Sequence, residues 1–207
     1  MTLESSKTMG GVGAILIVIG FLGFFGSGYA ALLTLIGAIL TLIALKGLSD
    51  HYNALGIFNN ALYGFITLII GGVAFIGTMM VMALMAISKI DIDWTNPSAI
   101  RQYFMDLNNL WGIIAAVIIA LVVLFIFVIV SAILFRKSLS TLSMKTGEKI
   151  FETAGLLWLI GAVLTIILVG FILIWIAWIL IAVGFFSIKT PAAQPPAAPP
   201  QPPPSTS

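Results

Sequence analysis

The chain has 207 residues, of which 61% are hydrophobic and only 8% are charged, and its mean hydropathy is +1.21. Ordinary soluble domains contain roughly 45–50% apolar and about 25% charged residues, so the composition excludes a water-soluble globular protein and predicts one compact membrane domain. The net charge of +2 and the lack of a basic stripe argue against nucleic acid as a partner. The absence of cysteine excludes disulfides, thiolate metal centres and cysteine nucleophiles.

Six apolar segments follow one another within residues 1–189, and no charged residue lies inside any of them. They predict an all-α fold, a polytopic membrane helical bundle of about six transmembrane helices. Two short hairpins, with tips at Gly26–Gly28 and at Gly170, are expected to flank two long central helices. The predicted helices cover about residues 10–25, 29–45, 61–87, 110–135, 154–169 and 171–188.

The basic residues predict the orientation of the chain in the membrane. Cytoplasmic connections carry an excess of Lys and Arg, and an inside N-terminus places seven basic residues on that side and only Lys89 and Arg101 on the other. We therefore expect a multi-pass protein of the cell membrane with both termini in the cytoplasm. The seven residues are Lys7, Lys46, Arg136, Lys137, Lys145, Lys149 and Lys189.

Residues outside the apolar segments predict the structure of the connections and of the C-terminal tail. Asn96 and Pro97 are expected to begin a short helix in the outer connection, lying flat at the headgroups as an anchor or, alternatively, covering a cavity as a lid. Thr146 is expected to cap the fifth segment. Residues 190–207 are rich in proline and lack an apolar face, so we expect a disordered tail.

Three patterns resemble chemical sites without predicting one. The glycine pattern at residues 26–31 matches a dinucleotide fingerprint, but it lies in a predicted membrane hairpin and not in a βαβ unit. His51 is the only histidine, and one imidazole does not build a zinc site. Asp91 and Asp93 are expected to be a solvated loop pair. We predict no catalytic residue, no cofactor and no metal.

The predicted spans contain no Asp, Glu, His, Lys or Arg. Ion-coupled carriers and proton pumps place such groups within the membrane, because a bound ion or proton needs them there. Intramembrane proteases need paired aspartates, metal ligands or an activated serine, and only hydroxyls occur in these spans. The protein is therefore predicted not to be an enzyme.

A near-repeat links the second and fifth segments. Residues 35–43 and 159–167 agree at seven of nine positions, and each copy places a threonine four residues after a glycine. The pairs are Gly37 with Thr41 and Gly161 with Thr165, which are candidates for close helix packing. An inverted repeat of the kind found in transporters is the alternative interpretation.

Three strings resemble a known family. They are Leu3–Thr8 followed by Gly10 and Gly11, then Gly56–Gly64, and then Thr146–Leu157. Together they are similar to the prokaryotic, largely archaeal, membrane proteins called the domain of unknown function 996 family. The resemblance covers nearly all of the chain up to Ile188 and implies an integral membrane protein without an assigned activity.

All three strings fall at the predicted cytoplasmic ends of helices, so their polar residues form a candidate cluster on that face. The cluster is expected to cap helix ends and to anchor at lipid phosphates, or alternatively to dock a protein partner. Its members are Glu4, Lys7, Asn59, Asn60, Lys145, Glu148, Lys149 and Glu152.

Two functions fit these expectations. The favoured one is a non-catalytic structural or accessory membrane component whose partners are membrane lipids, together with a protein partner or further copies of the chain. The alternative is a facilitator or channel for a small neutral or lipid-like solute. A bundle filled by its own side chains favours the first, and a water-accessible cavity that is lined by threonines and reaches the membrane centre favours transport.

Overall fold

The computed structural model describes residues 2–23, 29–88, 95–98, 101, 105 and 107–189. Six long helices and one short 3-10 turn, Thr165–Ile167, account for most of these residues, and no strand occurs among them. Each helix, with the turn counted as part of α5, is long and apolar enough to cross a membrane. The helices are α1 Leu3–Gly23, α2 Tyr29–His51, α3 Leu55–Ser88, α4 Leu107–Thr146, α5 Ile150–Leu164 and α6 Val169–Ser187.

The six helices form a closed ring. Each helix packs against the next one along the chain, and α6 packs back against α1. Successive helices run in opposite directions, so both ends of the helical domain lie at the same end of the ring. There the Lys7 Nζ donates a hydrogen bond to the Ile188 carbonyl at 2.9 Å. We call this the terminal end and the other the far end.

The hydrophobic core is concentrated at the terminal end of the ring. Leu48, Ile57, Leu142, Phe151 and Phe185 are fully buried there, and the last two rings meet edge to face with centroids 5.4 Å apart. Large apolar side chains become exposed towards the far end, above all on α3 and α4. The protein is therefore tightly packed at one end and loosely packed at the other.

Buried serines join α3 to α4. The Ser131 hydroxyl donates to the Gly64 carbonyl at 2.8 Å, and the Ser138 hydroxyl donates to the Ile57 carbonyl at 2.5 Å. Small hydroxyl residues let transmembrane helices approach closely and bond across the interface. These two bonds fix the register of the two longest helices.

The two central helices are much longer than the four helices of the hairpins. At 1.5 Å per residue, the 34 residues of α3 and the 40 of α4 extend for about 51 and 60 Å, whereas the 21 of α1 extend for about 31 Å. The α3–α4 pair therefore projects past the two short hairpins at the far end. These lengths also argue against an inverted repeat, which would pair α1 with α4.

Several observed boundaries differ from the predicted ones. Five helices, α1 to α5, continue beyond their apolar runs, because backbone hydrogen bonding carries a helix into the polar layer; α4, for example, ends at Thr146 and not near residue 135. The predicted hairpin tip at Gly170 is wrong: the chain turns at Thr165–Leu168, and Gly170 lies in α6. The cap predicted for Thr146 is also wrong, since Thr146 ends α4 and Gly147 follows with φ +78°.

The predicted start of the short outer helix is confirmed at Asn96. The backbone N–H of Ser98 donates to Asn96 Oδ1 at 3.1 Å, which is the bond a helix-capping asparagine accepts. Most of the expected helix, the tip at Gly26–Gly28, the Asp91 and Asp93 pair, and the tail 190–207 lie outside the described residues.

Candidate functional site

Side chains from all six helices line a central cavity of about 650 Å³. It is the space that remains inside the ring, since the close approaches of the helices are those between neighbours in the ring. The volume lies within the range of about 300–1,000 Å³ that is usual for small-molecule sites. This central cavity is the main candidate site of the protein.

The cavity is closed towards the terminal end. Leu45, Phe135 and Trp158 line that end and are only 2%, 6% and 5% exposed. The Phe135 ring packs against Trp158 and Trp178, with centroids 4.8 and 6.4 Å away. These aromatic rings form a floor, and beneath the floor lies the buried core.

The cavity opens towards the far end. Its lining there includes Ile118, Val122, Ile166 and Leu168, which are 54%, 52%, 70% and 71% exposed. Every one of these mouth residues is aliphatic. Apolar molecules in the surrounding medium can therefore reach the interior without crossing a polar barrier.

Three threonines supply the hydroxyl groups of the lining, and each donates its proton to its own helical segment. Thr34 Oγ1 donates to the Ala30 carbonyl at 3.0 Å, Thr41 Oγ1 to Gly37 at 2.9 Å, and Thr165 Oγ1 to Ala162 at 2.7 Å. Because a hydroxyl carries one proton, none of these groups retains a donor for a ligand. The cavity surface is therefore almost entirely apolar in its interactions.

Trp158 adds one polar group to the floor. Its indole N–H is buried and has no hydrogen-bond partner among the described residues. A buried donor without a partner costs about 1–3 kcal/mol. By contrast, the indole N–H of Trp175 donates to the Val18 carbonyl at 3.2 Å and ties α6 to α1.

The predicted packing residues lie at two helix crossings. A methyl group added at Gly37 would approach the Gly13 carbonyl oxygen to 2.5 Å, so α1 and α2 pack backbone to backbone there. One added at Gly161 would lie 3.0 Å from the Gly170 carbonyl oxygen, where α5 crosses α6. Thr41 and Thr165, the partners in the near-repeat, both face the central cavity.

The residues of the predicted polar cluster lie at the terminal end, but no network of ion pairs joins them. Its eight residues make no ion pair with one another, and Lys7 bonds to the Ile188 carbonyl. The ion pair in the described part of the chain joins Lys46 to Asp50 at 2.7 Å, with the Lys46 ammonium 5.5 Å from the Phe58 ring centroid. Burial raises the pKa of Tyr52 in the neighbouring α2–α3 turn.

No group of three or more potential metal-ligating side chains converges among the described residues. His51 lies at the end of α2, with its ring 4.9 Å from that of Tyr52. It contacts an aromatic edge at the surface and lies remote from the central cavity.

Comparison with known proteins places the chain in a family. Residues 33–179 match the family described as a protein of unknown function, DUF996. The chain belongs to this family. It is also 28% identical over 188 residues to an uncharacterised protein, MJ1644, of Methanocaldococcus jannaschii, covering 91% of this chain and 94% of that one. No solved structure matches the chain.

The family match confirms the resemblance deduced from the sequence. It includes two of the three strings, Gly56–Gly64 and Thr146–Leu157, while the string at Leu3–Gly11 precedes the matched range. The central cavity was not predicted. Its lining residues are as apolar as those that face lipid, so hydropathy alone cannot distinguish an inward-facing leucine from an outward-facing one.

Proposed function

We propose that this DUF996 protein is a non-catalytic, multi-pass component of the cell membrane that holds a lipid-like chain in its central cavity. The observation that carries the proposal is an apolar cavity of about 650 Å³ bounded by all six helices. The cavity argues against a bundle filled by its own side chains, and its lining, although it includes three threonines, is too apolar to favour the water-accessible path expected of a facilitator or channel.

The size of the cavity supports an occupant. Its volume of about 650 Å³ is far larger than one water molecule, and protein interiors contain few voids larger than that. An occupant would restore the dispersion contacts that the lining side chains lack on their inner faces.

The chemistry of the lining supports an apolar occupant. A buried water needs about 2–4 polar partners, and the lining threonines have already donated their hydroxyl protons. A hydrated ion or a sugar would lose far more hydration than this surface could replace. A hydrocarbon chain loses nothing polar on entering and gains contacts with aliphatic and aromatic side chains.

The shape of the cavity supports binding over passage across the membrane. A solute that entered at the far end would meet the floor of Phe135, Trp158 and Trp178, and behind it the closely packed core. A chain that is inserted from the far end and stops at this floor fits the observed outline. Such a site retains a lipid or presents it to a partner.

Native mass spectrometry from mild detergent tests the proposal. We expect wild-type protein to retain a lipid-like molecule, and Ala38→Phe, which projects a ring into the cavity, to lower the retained fraction several-fold. Ala83→Phe is the matched control, because Ala83 is exposed on the part of α3 beyond the cavity. Leu121→Trp fills the mouth from an exposed position and serves as a second variant.

Fluorescence gives an independent readout. Replacing Trp94, Trp111 and Trp175 by Phe leaves the two floor residues, Trp158 and Trp178, as the emitting groups. Lipids brominated at the chain end should quench this emission more strongly than lipids brominated near the headgroup. Equal quenching by both, or equal lipid retention by Ala38→Phe and Ala83→Phe, would contradict a chain in the cavity.

A further inference from the structure

A second pocket lies on the outer surface of the ring, near the terminal end. It has a volume of about 450 Å³ and is formed mainly by one face of α4, with a residue of α3 on one side and a residue of α5 on the other. The α4 residues follow the spacing i, i+3, i+4, i+7 and i+8, which places them on one helix face. The pocket is lined by Asn60, Ile133, Arg136, Lys137, Ser140, Thr141 and Leu159.

Two adjacent cations dominate this pocket, and neither is neutralised by the protein. Arg136 and Lys137 are exposed, and neither forms an ion pair with a carboxylate of the described residues, where the ion pair is Lys46 with Asp50. Glu152 on the neighbouring helix is exposed and makes no ion pair with either cation. The pocket therefore presents two positive charges to whatever occupies it.

The neighbouring polar groups are suited to an anion. Within the described residues, the Ser140 hydroxyl and the Asn60 amide make no hydrogen bond, so both retain donors. Thr141 Oγ1 donates to the Lys137 carbonyl at 2.9 Å. Gly155 of α5 lies close to the base of the Arg136 side chain, since a methyl group added there would be 3.6 Å from its Cγ. The exposed guanidinium of Arg136 can bind a phosphate through two parallel hydrogen bonds.

The position of the pocket distinguishes a lipid phosphate from a free one. Arg136 and Lys137 directly follow the apolar run of α4, where a transmembrane helix meets the headgroups. Ile133 and Leu159 form the wall on the membrane side, and the exposed side chains of Val130 and Ile160 continue the apolar surface from there. Phosphate and acyl chains of one lipid can therefore be bound together. Basic pockets of this kind between transmembrane helices accept anionic lipid headgroups.

We propose that the pocket formed by Arg136, Lys137, Asn60 and Ser140 binds the phosphate headgroup of an anionic lipid at the terminal end of the ring. This site lies outside the central cavity and is independent of its occupant. The central cavity suits an apolar chain, whereas the surface pocket suits a negatively charged headgroup.

The test compares two lipids with identical chains. Full-length protein in mild detergent is titrated with dioleoyl phosphatidylglycerol or dioleoyl phosphatidylcholine, and binding is measured by native mass spectrometry. Chain binding contributes equally to both, so the difference between the lipids reports the headgroup. We expect a preference for phosphatidylglycerol that falls roughly 10- to 30-fold in Arg136→Gln/Lys137→Gln, given the attraction of two basic side chains near a membrane surface.

The matched control is Lys46→Gln/Lys189→Gln, which removes the same charge from exposed residues at the same end that belong neither to the pocket nor to the polar cluster. It should keep the preference within about twofold of wild type, since net charge alone has little effect at a specific site. Thermal unfolding of both variants checks that the fold is intact. An equal loss in the two variants, or no preference in wild type, would overturn the proposal.

Competition with inorganic phosphate distinguishes a lipid headgroup from a free phosphate ion as the ligand. If acyl chains contribute, millimolar phosphate should leave phosphatidylglycerol bound. Complete displacement of the lipid by phosphate would show a free-anion site and would overturn the assignment to a lipid.

Discussion

Glycine residues allow the helix backbones of the first hairpin to touch. Gly13 and Gly37 face each other where α1 crosses α2, and a methyl group added at Gly13 would lie 2.7 Å from both the Gly37 carbonyl oxygen and Thr41 Oγ1. In lipid, such close packing supplies much of the attraction between helices, because burial of apolar surface contributes little there. The stability of the hairpin should therefore depend on these two positions.

Two glycine-to-alanine substitutions separate packing from helix propensity. Gly13→Ala should lower the free energy of unfolding by about 1–3 kcal/mol, because the added methyl group forces the helices apart. Gly72→Ala is the control: nothing lies within 4 Å of its added methyl group, so it should raise stability by up to about 1 kcal/mol. Thermal unfolding in detergent measures both. A loss of stability in Gly72→Ala as large as that in Gly13→Ala would contradict the close approach.

Leu168 occupies a backbone conformation that suits glycine. Its φ is +64°, in the left-handed region that costs L-residues about 1–2 kcal/mol. Leu168→Gly should therefore raise the free energy of unfolding by about 1 kcal/mol, since the exposed side chain loses few contacts. Ile167→Gly, in the adjacent 3-10 turn, should lower it by a similar amount. Urea or thermal unfolding distinguishes the signs, and a gain in Ile167→Gly would contradict this account.

The α5–α6 hairpin has a tip without polar side chains after Thr165. Ile166, Ile167, Leu168 and Val169 are all exposed at its turn. Although α5 with its turn has the length of a membrane span, the part that follows its charged residue, from Glu152 to Ile167, rises only about 22 Å, which is less than the roughly 30 Å thickness of the hydrocarbon core. The tip should therefore lie within lipid and not at the far surface, at the depth where the central cavity opens.

Cysteine labelling tests the depth of this tip, and the chain has no cysteine to remove first. Ile167→Cys should react slowly with a water-soluble maleimide, because thiolate forms poorly in hydrocarbon. Ser98→Cys, in the exposed polar connection of the far end, should react readily. Both sites should react in denaturing detergent. Rapid labelling of Ile167→Cys in the folded protein would place the tip in water.

The positions of the helices could be predicted from the sequence, but the residues at which they end could not always be. Hydropathy located all six helices, because a run of apolar residues long enough to span lipid has few other structures available. It placed the end of α4 near residue 135, whereas the helix continues to Thr146 and is ended by Gly147 in the left-handed conformation. A glycine following a polar helical turn is a stop signal, and it outweighs the capping tendency of the threonine before it.

The ring itself could not be deduced from the sequence. Apolar periodicity does not separate a surface that faces lipid from one that faces an internal cavity, since both are hydrophobic. The polar face at the terminal end was anticipated, yet the cations of the surface pocket, Arg136 and Lys137, belong to α4 and not to the strings that resemble the family. Their convergence with Asn60 depends on the packing of α3 against α4.

At the scale of the whole molecule, one end is closed and carries most of the basic residues, whereas the central cavity opens towards the other through an aliphatic mouth. The closed end carries both ends of the helical domain and the buried core, while the central cavity opens between the hairpins at the other. If the terminal end is cytoplasmic, the surface pocket faces the inner leaflet and the cavity mouth the outer one. The orientation in the membrane therefore decides which lipids each site can reach.

Accessibility of two cysteine variants in intact cells settles that orientation. Seven of the nine basic residues belong to the terminal side, and loops rich in Lys and Arg remain in the cytoplasm. Lys145→Cys should therefore be protected from a membrane-impermeant maleimide until the cells are permeabilised, whereas Ser98→Cys should react before permeabilisation. Labelling of Lys145→Cys in intact cells would invert the topology. The cavity would then draw its occupant from the inner leaflet, and the basic pocket would meet outer-leaflet headgroups.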